Sequence, residues 1–251
     1  MRVLYLGRMR LVSFAQDLVN RALAPIDLRV VRRTAIGNDF HANVERLLGR
    51  RPEVVFDVGA NVGQTLASVR RAWPRARVVC FEPSSRPFAE LRRAVDADPL
   101  AEAHRIALTD VEGTLELHEF PESTANSLLV PVIDASSPDW LRLGTKSQVQ
   151  ATTLDKWCAD TSVRQIDLLK IDTQGADGRV LAGAAGLLHA RKVRLVYFEV
   201  IFTNYYVAQH SFSSCQTLLE GHGYRFVDFY DKVRDAAGAT MAYCNALFSA
   251  E

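Results

Sequence analysis

The sequence predicts a doubly wound α/β domain, a mostly parallel sheet with helices on both faces, preceded by an N-terminal helical extension. Two patterns carry this expectation. From Val54 onward, short apolar runs that end in acids or glycines alternate with segments whose apolar residues recur three or four apart. The first of those runs passes through a glycine-spaced turn into a helical segment, the place where an open parallel sheet presents a ligand loop. A length of 251 residues suits one large domain with an extension. With 48% hydrophobic and 24% charged residues, disordered, collagen-like and disulfide-scaffold classes drop out. A net charge of +1 gives no general pull toward nucleic acid.

The elements follow in order. Residues 1–50 form the one basic region, in which nine arginines outnumber the four acids Asp17, Asp27, Asp39 and Glu45. There Leu11, Phe14, Leu18 and Ala22 stand at helical spacing before Pro25, and a second helix is expected at 43–48. We read this stretch as a packing arm with a solvated arginine face, and residues 51–251 as the α/β domain. The buried strands are expected at 54–58, 78–81, 166–171 and 195–200, with covering helices at 65–73, 87–97 and 179–190. Residues 114–119 and 147–153 read as edge strands, joined by the long polar segment 121–140, and loops of that length tend to be functional. The segments 224–230 and 241–248, separated by a polar turn, read as a closing antiparallel pair. The cysteines Cys80, Cys158, Cys215 and Cys244 show no C-x-x-C pairing, which fits reduced thiols. No apolar run has the length of a membrane span, so a cytoplasmic location is expected.

The sharpest local signal is Val54 to Thr65, VVFDVGANVGQT, where a strand meets a turn containing Gly59, Asn61 and Gly63. Glycine supplies positive φ and close approach, and asparagine tolerates the left-handed region better than most residues. A dinucleotide fingerprint would place glycine at Asn61 to admit a pyrophosphate. Asp57, at the strand end, instead suits a cation such as the ammonium of a methionyl group, or else a turn-stabilising role. The second strand ends in Glu82, placed to accept both hydroxyls of a ribose. The two acids mark a nucleoside pocket and leave adenosylmethionine and NAD both open.

These residues resemble the FkbM-type methyltransferases of the class I S-adenosylmethionine-dependent enzymes. The match lies in FDVGANVGQT at 56–65, CFEPS at 80–84, ALTDVEG at 107–113, LDKW at 154–157 and DLLKIDTQGAD at 167–177, with YFEV at 197–200 and CNALF at 244–248. It spans roughly residues 40–248. The resemblance implies a Rossmann-like seven-stranded sheet with an antiparallel last strand. By resemblance Asp57, Gly59, Asn61 and Gly63 hold the methionyl part of S-adenosyl-L-methionine, Glu82 its ribose, and Ala107 and Asp110 its adenine. Two departures stand out: Gln174 precedes Gly175 where the family commonly has an acid, and Val200, Ile201 and Phe202 follow Glu199 where members often carry a histidine.

Methyl transfer is an in-line displacement, so the protein must position the acceptor and exclude water. A hydroxyl acceptor also needs a base, or a metal that lowers its pKa. Asp172, after strand 166–171, is the first candidate, as base, cofactor contact or metal ligand, and with Glu199 it could hold Mg2+. Lys170 is expected to be structural, paired with an acid at the sheet edge. His210 is a candidate base or a plain loop histidine, and Phe202, Tyr205, Tyr206 and Phe212 line an acceptor pocket or anchor their loop. Asn126 and Ser127 are placed to close over the site, and the other five histidines carry no shared spacing. The expected activity is O-methylation of a small-molecule or sugar hydroxyl, with no nucleic-acid partner, no membrane span and homodimerisation allowed. The rivals are a non-catalytic adenosylmethionine-binding protein, a Rossmann oxidoreductase, and a methyltransferase with a nitrogen or nucleic-acid acceptor. The last of these would want an Asn/Asp-Pro-Pro-aromatic motif where Asp172-Thr173-Gln174-Gly175 stands.

Overall fold

A computed structural model describes residues 19–26, 35–133, 137, 139–235 and 238–250. The chain divides into two compact units, Met1–Asn43 and Val44–Glu251. In the first, residues 19–23 are helical and run into a 3-10 turn, Ala24–Ile26. Most of the helix expected before Pro25 lies outside the described residues. Asn43 closes the turn that precedes helix α1 (Phe40–Leu48): its side chain accepts from the Gly37 amide at 3.0 Å and donates to the Ala35 carbonyl. Asp39 caps that helix by accepting from the Ala42 amide at 2.9 Å.

The second unit is built on a seven-stranded sheet whose spatial order is β3-β2-β1-β7-β8-β10-β9. Its strands are β1 (Val54–Val58), β2 (Arg77–Phe81), β3 (Ala101–His104), β7 (Ile166–Ile171), β8 (Val193–Ile201), β9 (Tyr224–Arg234) and β10 (Met241–Ala250). β10 runs antiparallel to both neighbours and the other pairings are parallel. The expected closing pair and antiparallel last strand are both present. Four of five residues in β1 and in β2 are buried, because both faces of these strands are covered. Helices α2 (Gln64–Ala72) and α3 (Ser85–Asp96) bury Leu66 and Val69, and Pro87, Leu91 and Val95, the helical spacing that was expected.

Two expectations need correction. Residues 114–119 do lie on an edge strand, but of a second sheet, and 147–152 lie on that sheet's central strand instead of an edge. The second sheet is three-stranded, β4 (Ala107–Leu108), β6 (Thr145–Thr152) and β5 (Gly113–Glu119), in the order β4-β6-β5. Its own small core is Ala107, Leu117, Val149 and Ala151. The helix expected at 179–190 is broken into α6 (Asp177–Ala182) and α7 (Ala185–His189). At the break a side chain on Gly183 would overlap the Thr109 carbonyl, and the Asp155 carboxylate accepts from the Gly186 and Leu187 amides at 2.7 and 2.9 Å, so α7 starts afresh on a cap.

Three further helices, α4 (Asp139–Arg142), α5 (Leu154–Thr161) and α8 (Phe212–Gly221), complete the unit. Thr153 and Ser211 cap α5 and α8 through their side-chain oxygens. At the amino end of β7, buried Asp167 accepts two hydrogen bonds from Arg50 and one each from the Glu53 and Val54 amides, tying the entry of β1 to β7. All four cysteines are buried and none is bonded to another. Among the described residues no helix is long and apolar enough to cross a membrane.

Candidate functional site

At the carboxyl end of β1 the chain turns through Gly59 (φ 79°), Asn61 (φ 48°) and Gly63 (φ 96°), all in the left-handed region. Gly59 is glycine for a second reason. A β-carbon there would overlap the Asp172 carbonyl, while its amide donates to the Phe81 carbonyl at 2.9 Å. The close approach that the glycine permits is therefore between strand ends β1 and β7. Gly63 leads into α2, where a β-carbon would press on Leu91 at 3.3 Å.

Glu82, at the end of β2, leans across this turn. Its two carboxylate oxygens accept from the Asn61 amide at 2.9 Å and the Ser84 amide at 2.8 Å. It is 6% exposed, and burial pushes its pKa up to about 7 against the pull of those two amides. The Asn61 side-chain oxygen accepts from Ser123 Oγ at 3.0 Å, so the insertion after β5 reaches the glycine turn.

Of the two roles expected for Asp57, contact with a cationic ligand or stabilisation of the turn, the surroundings of the side chain bear on both. Asp57 is fully buried and its charge is met from within the fold by Lys170 Nζ, 3.1 Å away. Burial raises its pKa and the lysine opposes this. Lys170 does not sit at the sheet edge. β7 is central, and its ammonium also lies 3.3 Å from Asp172 Oδ2. The two acids hold Lys170 charged against a desolvation that would lower its pKa.

Asp172, the first residue beyond β7, is the acid that keeps an open side: its side chain is 34% exposed. Gln174 Nε2 donates to Asp172 Oδ1 at 3.0 Å and to Glu199 Oε2 at 2.6 Å. Glu199, near the end of β8, has its pKa raised well above the ordinary range by burial and by the nearby charges of Asp172 and Asp177. The pair expected to hold Mg2+ is thus bridged by an amide. Among the described residues no group of three His, Cys, Asp or Glu side chains is arranged for a metal.

Asp177, at the start of α6, lies buried close by with neither carboxylate oxygen in a well-formed hydrogen bond. Burial and Asp172 push its pKa to about 7. His210 is partly buried, with its ring against Gly178, where a β-carbon would overlap it. Its Nδ1 lies 3.3 Å from the Gly175 carbonyl, which fits the tautomer protonated at that nitrogen.

Two segments cover the ends of β7 and β8. Val207 donates its amide to the Val130 carbonyl, and Val132 donates to the Tyr205 carbonyl, both at 2.8 Å. Tyr206 is buried between them and its hydroxyl donates to the Ala125 carbonyl at 2.6 Å. Tyr206 and Tyr205 therefore anchor the loop, whereas Phe202 is exposed and Phe212 packs against Phe226, Phe229 and Phe248. Ser127 Oγ donates to the Gln174 carbonyl at 2.8 Å, and the Asn126 side chain accepts from the Phe120 amide. Ala107 is buried in the small sheet, and exposed Asp110 accepts from Thr109 Oγ1.

The structure thus gathers Gly59, Asn61, Gly63 and Glu82 at one turn and Asp172 and Glu199 at the neighbouring strand ends. Sequence reasoning missed Lys170 as the central counter-ion, Gln174 as a bridge and Asp177 as a buried acid. A lysine inside the apolar run IDLLKI was the available signal for the first; a polar residue in a buried parallel strand needs a partner.

Residues 57–226 match the model of the Methyltransferase FkbM domain. The 2-O-methyltransferase NoeI of Sinorhizobium fredii is 27% identical over 176 residues, covering 67% of this chain and 72% of that protein. The 31-O-demethyl-FK506 methyltransferase FkbM of Streptomyces tacrolimicus is 28% identical over 203 residues, covering 71% of this chain and 75% of that protein. Among solved structures, the 1,6-didemethyltoxoflavin-N1-methyltransferase of Burkholderia thailandensis aligns with a TM-score of 0.46 at 14% identity, over 98% of this chain and 89% of its own.

Proposed function

The chain belongs to the FkbM methyltransferase family and is an S-adenosylmethionine-dependent methyltransferase, and from that premise we propose that it methylates a hydroxyl of a small molecule or sugar. The residues present fit the cofactor. Asp57, Asp172, Asp177 and Glu199 stand around a single cation, Lys170, at the strand ends, so a ligand bearing a sulfonium and an ammonium would favour ionisation of the carboxyls whose pKa the fold raises. Glu82 is held in one plane by two backbone amides, with lone pairs left over for a hydroxyl pair. When bound, the cofactor supplies an electrophilic methyl carbon. The glycine turn and Glu82 hold its nucleoside and methionyl parts.

The observation that carries the O-methyl reading is the open side of Asp172. Lys170 and Gln174 fix its two oxygens, and the exposed carboxylate can accept the proton that an alcohol loses on attack. Glu199, whose pKa burial and the nearby Asp172 charge raise well above the ordinary range, accepts from Gln174 and so helps to fix the amide that holds Asp172. His210 fits a wall of the acceptor site better than a base, because its ring is packed on Gly178 and bonded to Gly175. The paired cover of 130–132 and 205–207 would help keep water from the strand ends. The names of the two relatives, each an O-methyltransferase or a methyltransferase of an O-demethylated compound, agree with a hydroxyl acceptor.

The test is incubation of pure protein with methyl-labelled cofactor and panels of sugars and polyhydroxylated small molecules, with amines and RNA as controls. Label in an ether linkage supports the reading. Label only in amines or RNA would remove it.

A further inference from the structure

The acids at the ends of β7 and β8 share one nitrogen, and their carboxyl groups also lie within hydrogen-bond reach of each other. Gln174 Nε2 stands 3.0 Å from Asp172 Oδ1 and 2.6 Å from Glu199 Oε2. Both neighbours are acceptors when ionised, so the amino group faces them and gives one hydrogen to each. The backbone is arranged for this. Gln174 lies in the left-handed region at φ 51°, a conformation that a long side chain rarely adopts, and its carbonyl is pinned by Ser127 Oγ at 2.8 Å. The remaining Asp172 oxygen is taken by Lys170 Nζ.

We propose that Gln174 is a positioning residue that takes the place of a divalent cation between Asp172 and Glu199, so that this site fixes its two acids with an amide and needs no metal. A hard cation shared by two carboxylates would sit at about 2.0–2.6 Å from an oxygen of each. Here that space belongs to an amino group, whose hydrogens carry positive partial charge and repel a cation. Lys170, on the other side of Asp172, adds a full positive charge against one. Glutamine thus does part of what a cation would do: it puts positive partial charge between the acids and holds one oxygen of each at a fixed distance. It does so without binding anything that can leave. The consequence for turnover rests on the transfer site proposed above, but the claim about the bridge does not.

The test uses cofactor-free full-length protein and Mn2+ followed by electron paramagnetic resonance. The wild type should leave the free-ion spectrum unchanged at millimolar Mn2+. Gln174→Glu exchanges two donors for a third carboxylate and should bind Mn2+ at least tenfold more tightly than wild type. Combining it with Asp172→Asn should abolish that gain. Circular dichroism checks each fold, and Gln174→Asp is the second variant if the first does not fold. Wild-type binding of Mn2+ that disappears in Asp172→Asn would overturn the proposal, and so would an absence of gain in both acidic variants. If the Mn2+ results come out as expected while no hydroxyl acceptor is ever methylated, the proposed function falls and the bridge stands.

Discussion

Glu82 receives two backbone N–H groups and is nearly closed to water, so its carboxylate is oriented before any ligand arrives. Removing it would leave a buried ribose with unpaired hydroxyls, a loss of about 1–3 kcal/mol. Glu82→Ala is therefore expected to raise the cofactor dissociation constant by about 5- to 150-fold in calorimetry, and an unchanged affinity would remove Glu82 from the site. Its pKa near 7 adds a sign: the ionised form is the better acceptor, so cofactor affinity should weaken as pH falls through about 7, and Glu82→Gln should flatten that dependence. Asp172 is tested through rate rather than binding. If it takes the acceptor proton, Asp172→Asn should lower kcat by about 100- to 10,000-fold in labelled-methyl assays, and a kcat within threefold of wild type would exclude it as the base. Of the acids at the strand ends, position was legible in the sequence, because acids after apolar runs mark where strands stop. Exposure was not. Asp57 and Asp172 look alike along the chain, and only the lysine between them, fixed by the pairing of β1 with β7, decides that one is buried and the other open.

Strand β1 meets β7 with Gly59 against the Asp172 carbonyl, and the substitution Gly59→Ala should separate them. Both strain at φ 79° and overlap with backbone act there, and overlap with backbone cannot be relieved by a rotamer. The expected loss is about 3 kcal/mol or more in urea denaturation, beyond the range of ordinary surface changes. Gly49 is the control: its φ is 71°, close to that of Gly59, but a β-carbon would meet open space, so Gly49→Ala should cost only about 1–2 kcal/mol. Equal losses at the two sites would show that conformational strain alone accounts for Gly59. The same distinction explains which elements could be read beforehand. β1, β2, β7 and β8 are covered on both faces, so their continuous apolar runs identify them from local sequence. Alternation in 114–119 and 147–153 reports a half-buried strand but says nothing of its partner, and β6 finds β4 and β5 instead of the main sheet. The break between α6 and α7 is set by Thr109 and Asp155, residues that no window centred on Gly183 contains.

Across the whole molecule, folding buries more acid than base at one end of the sheet, which makes stability fall with rising pH in a definite window. Glu82 and Asp177 have folded pKa values near 7, raised from 4.5 and 3.8 mainly by burial, and Glu199 and Asp57 are raised as well. A raised carboxyl pKa means that the folded state binds more protons than the unfolded chain. Its contribution is fully present below the unfolded pKa and is lost as pH climbs through the folded one. Opposing terms lie mostly elsewhere. Asp98 and Asp235 are lowered by their hydrogen-bond partners and act below about pH 4, and Lys170 matters only in strong alkali. His118, lowered by burial, works in the opposite direction near pH 6.5, alone against four acids. The cofactor-free protein is therefore expected to lose stability, on the order of a few kcal/mol, between about pH 4.5 and about pH 8. Urea denaturation across that range should show a negative slope that Glu82→Gln reduces. A cationic ligand neutralises part of the same excess, so the stabilisation that S-adenosylmethionine confers should grow as pH rises through about 7, where these carboxyls ionise. A flat or rising stability curve in the absence of ligand would mean that the buried acids are solvated or paired beyond what the fold provides, and the electrostatic case for a sulfonium at the strand ends would lose its basis.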